Sequence, residues 1–170
     1  SGNGEPTASK QFKEVIKILV KKIKKFNLNK IIIRLITNGS YMSNIETQNA
    51  LSLLDTINRE VWFKIDQMNK DGVKKINQVN LSTLSVKRNL EAAISNSPTF
   101  IQTCLFKINK ELPSLKSIEI YINFLMPYRS KVKGIHLYSL ARPSEQINEF
   151  KLTRLTKSEL EIIADKMKVL

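Results

Sequence analysis

Two hydrophobic periods alternate along this chain, and that alternation constrains its fold more than any other feature. Segments with apolar residues every three or four positions, the spacing of an amphipathic helix, alternate with short β-branched runs typical of buried strands. Strands separated by helices favour right-handed βαβ units and a parallel sheet. The sequence therefore predicts an α/β protein with the element order α-β-α-β-α-β-α-β-α.

Turn residues between the periodic segments set the predicted boundaries. Helices are predicted over 9–26, 47–57, 84–94, 115–125 and 156–169, the last one opened by a capping box of Thr156 and Glu159. Four parallel strands, neighbours in sequential order, are predicted over 31–36, 60–66, 99–106 and 133–140. Residues 70–82 and 144–155 are predicted to be polar and irregular, and Trp62 and Phe63 to lie in the core.

The length and composition indicate one globular domain over residues 1–170, with 42% hydrophobic and 25% charged residues. No apolar run approaches the ~18–20 residues that cross a bilayer, and no secretory signal is present. We therefore expect a cytoplasmic protein without a membrane partner. The single cysteine, Cys104, excludes an internal disulfide and a self-contained thiolate metal cage, and is predicted to be a small buried side chain.

The charge balance leaves two interpretations open. Lysine and arginine number 28 against 15 acidic residues, which gives a net charge of +13. Such a surplus is typical of surfaces that bind nucleic acid or another polyanion. It is equally typical of lysines on the solvated faces of helices, spread over the whole chain.

Ligands of parallel α/β folds bind at the carboxyl ends of the strands, so the residues that follow each strand are informative. In this sequence all of these segments are polar or contain glycine. They are residues 2–6, 37–40, 64–66, 102–103 and 139–143. Together they predict a pocket rich in hydrogen-bonding groups.

Five motifs in these segments share their order and spacing with a known family. They are Ser-Gly-Asn-Gly-Glu-Pro-Thr at 1–7, Thr-Asn-Gly at 37–39, Val-Trp-Phe-Lys-Ile-Asp at 61–66, Ile-Gln-Thr at 101–103 and Gly-Ile-His-Leu-Tyr-Ser-Leu-Ala-Arg-Pro at 134–143. Over nearly the whole chain, the sequence resembles the radical S-adenosylmethionine (radical SAM) iron–sulfur enzymes, in the branch that includes tRNA wyosine-synthesising proteins. The resemblance implies an incomplete (β/α)6 TIM-like barrel with parallel strands.

The resemblance also implies an activity for the intact parent enzyme. Such an enzyme cleaves SAM reductively at a [4Fe–4S] cluster to a 5′-deoxyadenosyl radical, which acts on an unidentified substrate, with tRNA or another polyanion as candidates. By the same resemblance the first βα unit and its Cys-x3-Cys-x2-Cys cluster loop are missing, so this chain is expected to be an N-terminally truncated fragment, inactive alone. The alternative function is a non-catalytic, basic α/β module that binds RNA.

The resemblance places the amino group of SAM against Glu5 and the backbone of Asn3 and Gly4. A glutamate at this position is also favoured simply by the dipole of the helix that follows. Asn38 matches the family's turn that faces the active site, although a plain turn explains it equally well.

Three further residues are candidates for SAM binding. Lys64 and Asp66 are two positions apart on one strand, so their side chains point the same way, towards the SAM ribose and carboxylate by the resemblance. A polar pair on an edge strand is the alternative. Gln102 matches a position near the ribose, whereas His136 is predicted to be structural and to face the helical layer. No catalytic or metal-binding residue is predicted.

The cysteine content yields a direct test. Because iron–sulfur clusters are held by several cysteine thiolates, reconstitution of this chain with iron and sulfide should give no stable cluster absorbance. A stoichiometric, stable [4Fe–4S] spectrum from this chain alone would contradict the motif assignment.

Overall fold

The computed structural model describes residues 4–66, 82–141 and 151–170. Within these residues the sheet has five strands, four of them in the order β1-β2-β3-β4, so that these four are neighbours in space as they are in sequence. The strands are β1 (Ile33–Thr37), β2 (Arg59–Lys64), β3 (Thr99–Ile108) and β4 (Gly134–Ser139). This sequential order is the one predicted, and it is the strand order of a partial TIM-like fold.

The four strands run parallel, as predicted. β1 and β2 pair in a parallel register over five residue pairs. Between β2 and β3, the N–H of Val61 donates to the Pro98 carbonyl at 2.9 Å and the N–H of Ile65 to the Gln102 carbonyl at 3.0 Å. Both partners advance together along the chain, which only parallel strands allow.

β4 lies beside β3 and runs in the same direction. The N–H of Lys133 donates to the Thr99 carbonyl at 2.8 Å, and the Ser139 hydroxyl donates to the Leu105 carbonyl at 2.6 Å. Again both partners advance together, so this pair is parallel too.

A fifth strand, β5 (Leu152–Arg154), pairs antiparallel with the last three residues of β3. This corrects the prediction that residues 144–155 form a polar loop, of which 144–150 lie outside the described residues. Three residues are too few to show a strand period in the sequence. The pairing arises because β3 is ten residues long and its end offers free backbone groups to a neighbour.

The helices lie close to their predicted places. Within the described residues they are α1 (Phe12–Lys25), α2 (Ile45–Ser52), α3 (Thr83–Asn96), α4 (Leu115–Leu125) and α5 (Lys157–Met167), with 3-10 turns at Pro6–Ala8 and Met126–Tyr128. The capping box of Thr156 and Glu159 is present. α2 begins earlier than predicted because the Asn44 side chain caps the N–H of Glu46, and it ends five residues earlier. The predicted irregular segment 70–82 lies outside the described residues except for Ser82.

Burial alternates along the strands, which separates an apolar face from a polar one. On β2, Val61 and Phe63 are buried to 1% exposure, while Trp62 and Lys64 are half-buried on the opposite face. The prediction of a core residue is therefore confirmed for Phe63 and wrong for Trp62, because adjacent strand residues cannot both face the helices.

The apolar stripe of α1 is only partly covered. Phe12, Ile16 and Ile23 are buried, as the helical period predicts. Val15 and Phe26 belong to the same stripe but remain exposed. No helix of the described residues is long and apolar enough to cross a membrane.

The chain divides into two compact units. The first unit comprises residues 1–64, 81–101 and 131–134, and the second comprises 65–80, 102–130 and 135–170. The candidate site residues Glu5, Asn38 and Lys64 belong to the first unit, and Asp66 and Gln102 to the second.

Gly39, in the turn after β1, is required for two reasons. Its φ of 80° lies in the left-handed region, which residues with a side chain rarely adopt. In addition, a Cβ at this position would lie 2.1 Å from Cζ of Phe63, so the ring of a core residue fills the space beside it. The turn can therefore close over the core only with glycine.

We expect Gly39→Ala to lower the free energy of unfolding by about 2–5 kcal/mol, since backbone strain and overpacking both contribute. Gly4→Ala is the control: φ is 134° there, but nothing lies within 4 Å of the added Cβ. Phe63→Leu should lower the free energy of unfolding less in the Gly39→Ala variant than in the original chain, because the smaller side chain relieves the clash with the added methyl group. Urea unfolding of the four variants measures this; equal losses at Gly39 and Gly4, or no coupling with Phe63, would contradict it.

Candidate functional site

In the first unit a single carboxylate joins the segment after residue 4 to the end of β1. Glu5 Oε1 accepts hydrogen bonds from the Thr37 hydroxyl at 2.6 Å and from the Thr7 hydroxyl and N–H at 2.6 and 3.2 Å. Glu5 Oε2 accepts the N–H of Asn38 at 2.7 Å. The Thr37 hydroxyl oxygen in turn accepts the N–H of Gly39 at 2.9 Å. The two motif segments are thus in contact at the carboxyl end of a strand.

This geometry bears on both roles that the sequence left open for Glu5. The carboxylate caps the 3-10 turn Pro6–Ala8 by accepting the N–H of Thr7, which is a structural role. However, Oε2 accepts a single N–H among the described contacts, and a carboxylate oxygen has room for a second donor. Contact between Glu5 and the SAM amino group stays a prediction. The hydrogen bonds from its neighbours hold the Glu5 carboxylate in one position.

The backbone around this carboxylate is accessible. Gly4 is exposed, and the space where its side chain would lie is open. Asn38 is exposed as well, and its Oδ1 accepts the N–H of Ser40 at 2.9 Å, which makes the turn rigid. Asn3 lies outside the described residues.

The polar face of β1 and β2 carries an ion pair next to an aromatic ring. Arg34 Nε lies 2.8 Å from Glu60 Oε2, and the two residues are direct neighbours in the parallel register. The indole N–H of Trp62 donates to the same oxygen at 3.1 Å, and the Arg34 guanidinium lies 5.5 Å from the Trp62 ring centroid. Lys64 follows Trp62 by two positions and therefore belongs to this face, at the carboxyl end of β2.

In the second unit, Asp66 and Gln102 lie on neighbouring segments. Asp66 Oδ1 accepts the N–H of Cys104 at 2.9 Å, just after Ile65 has bonded to the Gln102 carbonyl. The Asp66 side chain thus takes the place of a backbone carbonyl and extends the pairing beyond β2. This is a structural role for Asp66 that the sequence did not predict.

Gln102 presents a hydrogen-bond acceptor with no partner among the described residues. Its Oε1 is buried and accepts no hydrogen bond there. A buried polar atom without a partner is unfavourable, and such atoms are uncommon in folded proteins. Gln102 is therefore the group in the second unit that a ligand N–H or O–H would stabilise most directly.

Tyr138 completes the polar face of the second unit. The bond from Ser139 to Leu105 aligns β4 with β3, so Tyr138 lies beside Cys104 on the opposite face. Burial raises the pKa of the Tyr138 phenol, and the negative charge of Asp66 and a hydrogen bond with the Cys104 side chain raise it further. Cys104 is half-buried, not buried as predicted, because it shares this face.

His136 is exposed and lies two positions before Tyr138, so it shares the polar face. The prediction that it faces the helical layer is wrong, since Ile135 and Leu137 alternate with it on the other side. Among the described residues no group of three or more histidine, cysteine or acidic side chains could hold a metal ion. With one cysteine in the sequence, the residues present do not fit a [4Fe–4S] cluster.

Three residues that shape this site were not among the predicted site residues, namely Thr37, Glu60 and Tyr138, although Thr37 and Tyr138 lie within two of the five motifs. Thr37 ends a β-branched run and resembles any strand threonine. Glu60 and Tyr138 acquire their neighbours through strand register, which a single sequence does not specify. Thr37 and Tyr138 could have been found because each lies within a motif, whereas no motif contains Glu60.

The buried phenol of Tyr121 and the half-buried phenol of Tyr138 predict a delayed alkaline titration. Burial raises the pKa of Tyr121 above its ordinary value of 10.0, as it does for Tyr138, and the Asp66 charge adds to both. The unfolded chain releases these protons near pH 10 and the folded chain does not. Their contribution to stability is therefore complete below pH 10 and is lost as the pH rises above it.

We expect the absorbance change of tyrosine ionisation near pH 10 to be unaltered by Tyr121→Phe or Tyr138→Phe while the chain stays folded. In each variant the free energy of unfolding should fall less steeply above pH 10 than in the original chain. If either substitution removes part of the ionisation step near pH 10, the phenol it removes is solvated and the described packing is wrong.

No family model matches the chain, and no curated protein matches it either. Among solved structures, the chain is similar to the "Structure of TYW1 with a lysine-pyruvate adduct bound", with a TM-score of 0.56 and 18% sequence identity. The match covers 97% of this chain and 47% of the TYW1 chain, so the chain spans about half the length of that protein. TYW1 is a radical SAM enzyme of wyosine synthesis. Over nearly its whole length the present chain has the fold of part of TYW1, as its motifs predicted.

Proposed function

We propose that this chain is the SAM-binding part of a radical SAM enzyme. The observation that carries the proposal is the contact between Glu5 and the Thr37–Asn38 turn, which joins two of the five motifs at the carboxyl end of β1. The fold shared with TYW1 supports the same reading, because ligands of such folds bind at that end of the strands.

In the first unit the ammonium group of SAM would meet Glu5 and the backbone next to Gly4. The open space beside Gly4 allows a ligand to approach the main chain closely. A carboxylate already held by Thr37 and Asn38 needs no rearrangement to accept one more donor, so little side-chain entropy is lost on binding. Lys64 is the cation at the carboxyl end of β2 and would attract the SAM carboxylate.

In the second unit Gln102 and Asp66 offer acceptors for the hydroxyl groups of the ribose. Gln102 Oε1 is the stronger candidate, because it is buried without a partner among the described residues. Asp66, whose Oδ1 accepts the N–H of Cys104, is the second acceptor proposed for the ribose.

SAM supplies a 5′-deoxyadenosyl group, and the intact parent would supply the cluster that cleaves it. In the proposal, the role of this chain is to bind and orient SAM. Substrate and reaction outcome belong to the parent enzyme, with tRNA or another polyanion as candidates.

Equilibrium dialysis of the chain against SAM tests the proposal. We expect measurable binding, with a Kd up to about 1 mM because no cluster contributes. Glu5→Gln and Asp66→Asn each remove an acceptor while keeping shape, so each should weaken binding by about 5- to 150-fold, the equivalent of ~1–3 kcal/mol for a charged hydrogen bond. Glu14→Gln is the matched control, since Glu14 is exposed on α1 and pairs only with Lys17 among the described contacts.

Thermal unfolding must accompany these measurements, because Glu5→Gln also places an amide N–H₂ near donors and lowers stability.

The RNA-binding alternative predicts a different outcome. RNA would bind through many phosphates, so its affinity would fall steeply with salt, whereas SAM binding would change little. Absent SAM binding together with salt-sensitive RNA binding would overturn the proposal in favour of that alternative.

A further inference from the structure

The hydrogen-bond ladder between the second and third strands is rearranged just after β2 ends. The N–H of Ile65 donates to the Gln102 carbonyl at 3.0 Å. In a parallel ladder, the carbonyl of Ile65 would then accept the N–H two positions further along β3, which is that of Cys104. The Cys104 N–H instead donates to Asp66 Oδ1 at 2.9 Å. A side-chain carboxylate therefore occupies the place that the Ile65 carbonyl would fill.

The Ile65 carbonyl has a different donor, a buried hydroxyl. The Thr103 hydroxyl oxygen lies 2.8 Å from this carbonyl oxygen and 2.6 Å from the phenol oxygen of Tyr121. A carbonyl can only accept, so the single hydroxyl proton of Thr103 goes to Ile65, and the Tyr121 O–H donates to the Thr103 oxygen. Thr103 is fully buried and Tyr121 is 4% exposed, so both hydrogen bonds are shielded from water.

The two changes of partner depend on each other. Ile65 is 3% exposed, so without the Thr103 hydroxyl its carbonyl would be a buried acceptor lacking a donor, which is unfavourable. The donor that would satisfy it is its ladder partner, the Cys104 N–H. Cys104 would then leave the Asp66 carboxylate. The Thr103 hydroxyl thus keeps the Cys104 N–H available for Asp66.

We propose that Thr103 is a positioning residue for the Asp66 carboxylate, with Tyr121 fixing the direction of the Thr103 hydroxyl. The inference rests on the proposed function, in which Asp66 is an acceptor for the ribose of SAM. Thr103 touches no ligand in this proposal, because it is buried and alternates along β3 with Gln102 and Cys104, which lie on the polar face. It acts only by holding the carboxylate at the carboxyl end of β2.

Amide NMR of the full chain tests the positioning without any ligand. The Cys104 amide resonance should move in the acid range as the Asp66 carboxylate takes up a proton, because the Cys104 N–H donates to it. The phenols of Tyr121 and Tyr138, which interact with the Asp66 charge, have pKa values raised above 10.0 and do not titrate in that range. Asp66→Asn should abolish the movement.

Substitutions of Thr103 then separate its hydroxyl from its shape. Thr103→Val keeps the shape and removes the hydroxyl, so it should abolish most of the movement of the Cys104 amide. Thr103→Ser keeps the hydroxyl and should restore the movement. Thr99→Val is the matched control: Thr99 is also fully buried on β3, and its hydroxyl donates to the Ser97 carbonyl at 2.9 Å, in the first unit. It should leave the Cys104 amide unchanged.

Equilibrium dialysis against SAM connects the positioning with the proposed function. Thr103→Val should weaken binding by at least about fivefold, the smallest loss expected for Asp66→Asn. Thr103→Ser and Thr99→Val should each change the Kd by less than about twofold, below what the loss of one charged hydrogen bond produces. The double variant Thr103→Val, Asp66→Asn should bind no more weakly than Asp66→Asn alone, because both substitutions remove the same contact.

The inference is overturned if the Cys104 amide keeps its movement in Thr103→Val, loses it equally in Thr99→Val, or is not restored in Thr103→Ser. SAM binding that Thr103→Val leaves unchanged overturns it too. If Thr103→Val does not fold, Tyr121→Phe replaces it; this variant should reduce the movement in part, and an unchanged movement counts against the inference. Absent SAM binding with the NMR pattern as expected overturns the proposed function and leaves the positioning of Asp66 by Thr103 supported.

Discussion

The Glu5 carboxylate is the interaction on which the candidate site depends. Thr37 is fully buried, and its hydroxyl needs a partner there. It donates a hydrogen bond to Glu5 Oε1 and accepts one from the N–H of Gly39. Gly39 then lies directly over the ring of Phe63, a core residue. The segment around Glu5 is thus connected to the apolar core of the first unit through Thr37 and Gly39. A site built this way keeps its geometry before any ligand arrives.

The four parallel strands could be predicted because buried β-branched runs and intervening helices are strong, local signals. What the sequence could not specify depends on partners distant in the chain. β5 is too short for a period and exists because β3 extends past its other neighbours. Trp62 was misplaced because an apolar run conceals which residue faces the helices. Phe26 continues the stripe of α1, yet only a neighbouring element could have buried it.

In the candidate site too, local motifs could be predicted, whereas contacts between segments distant in the chain could not. The motifs predicted that Glu5 and Asn38 both lie at the carboxyl ends of the strands, and a 2.7 Å hydrogen bond joins them. The pairing of Asp66 with Cys104, and the place of Tyr138 beside that cysteine, follow from the alignment of strands, to which a single sequence gives no access. Convergence of Glu5 with Asp66 stays a prediction, and so does each residue's contact with SAM.

Within the first unit, the two ends of the strands carry different kinds of polar group. At the start of β1 and β2, Arg34 and Glu60 neutralise each other beside Trp62, so their charges are satisfied within the protein. At the carboxyl ends, the Glu5 carboxylate keeps an oxygen with spare capacity, and the Gly4 backbone borders open space. Charges paired within the fold occupy each other, whereas an acceptor with spare capacity can take a donor from a ligand. Because these acceptors lie at the carboxyl ends, the proposed ligand would bind at that end of the strands, opposite the end that the Arg34–Glu60 pair occupies.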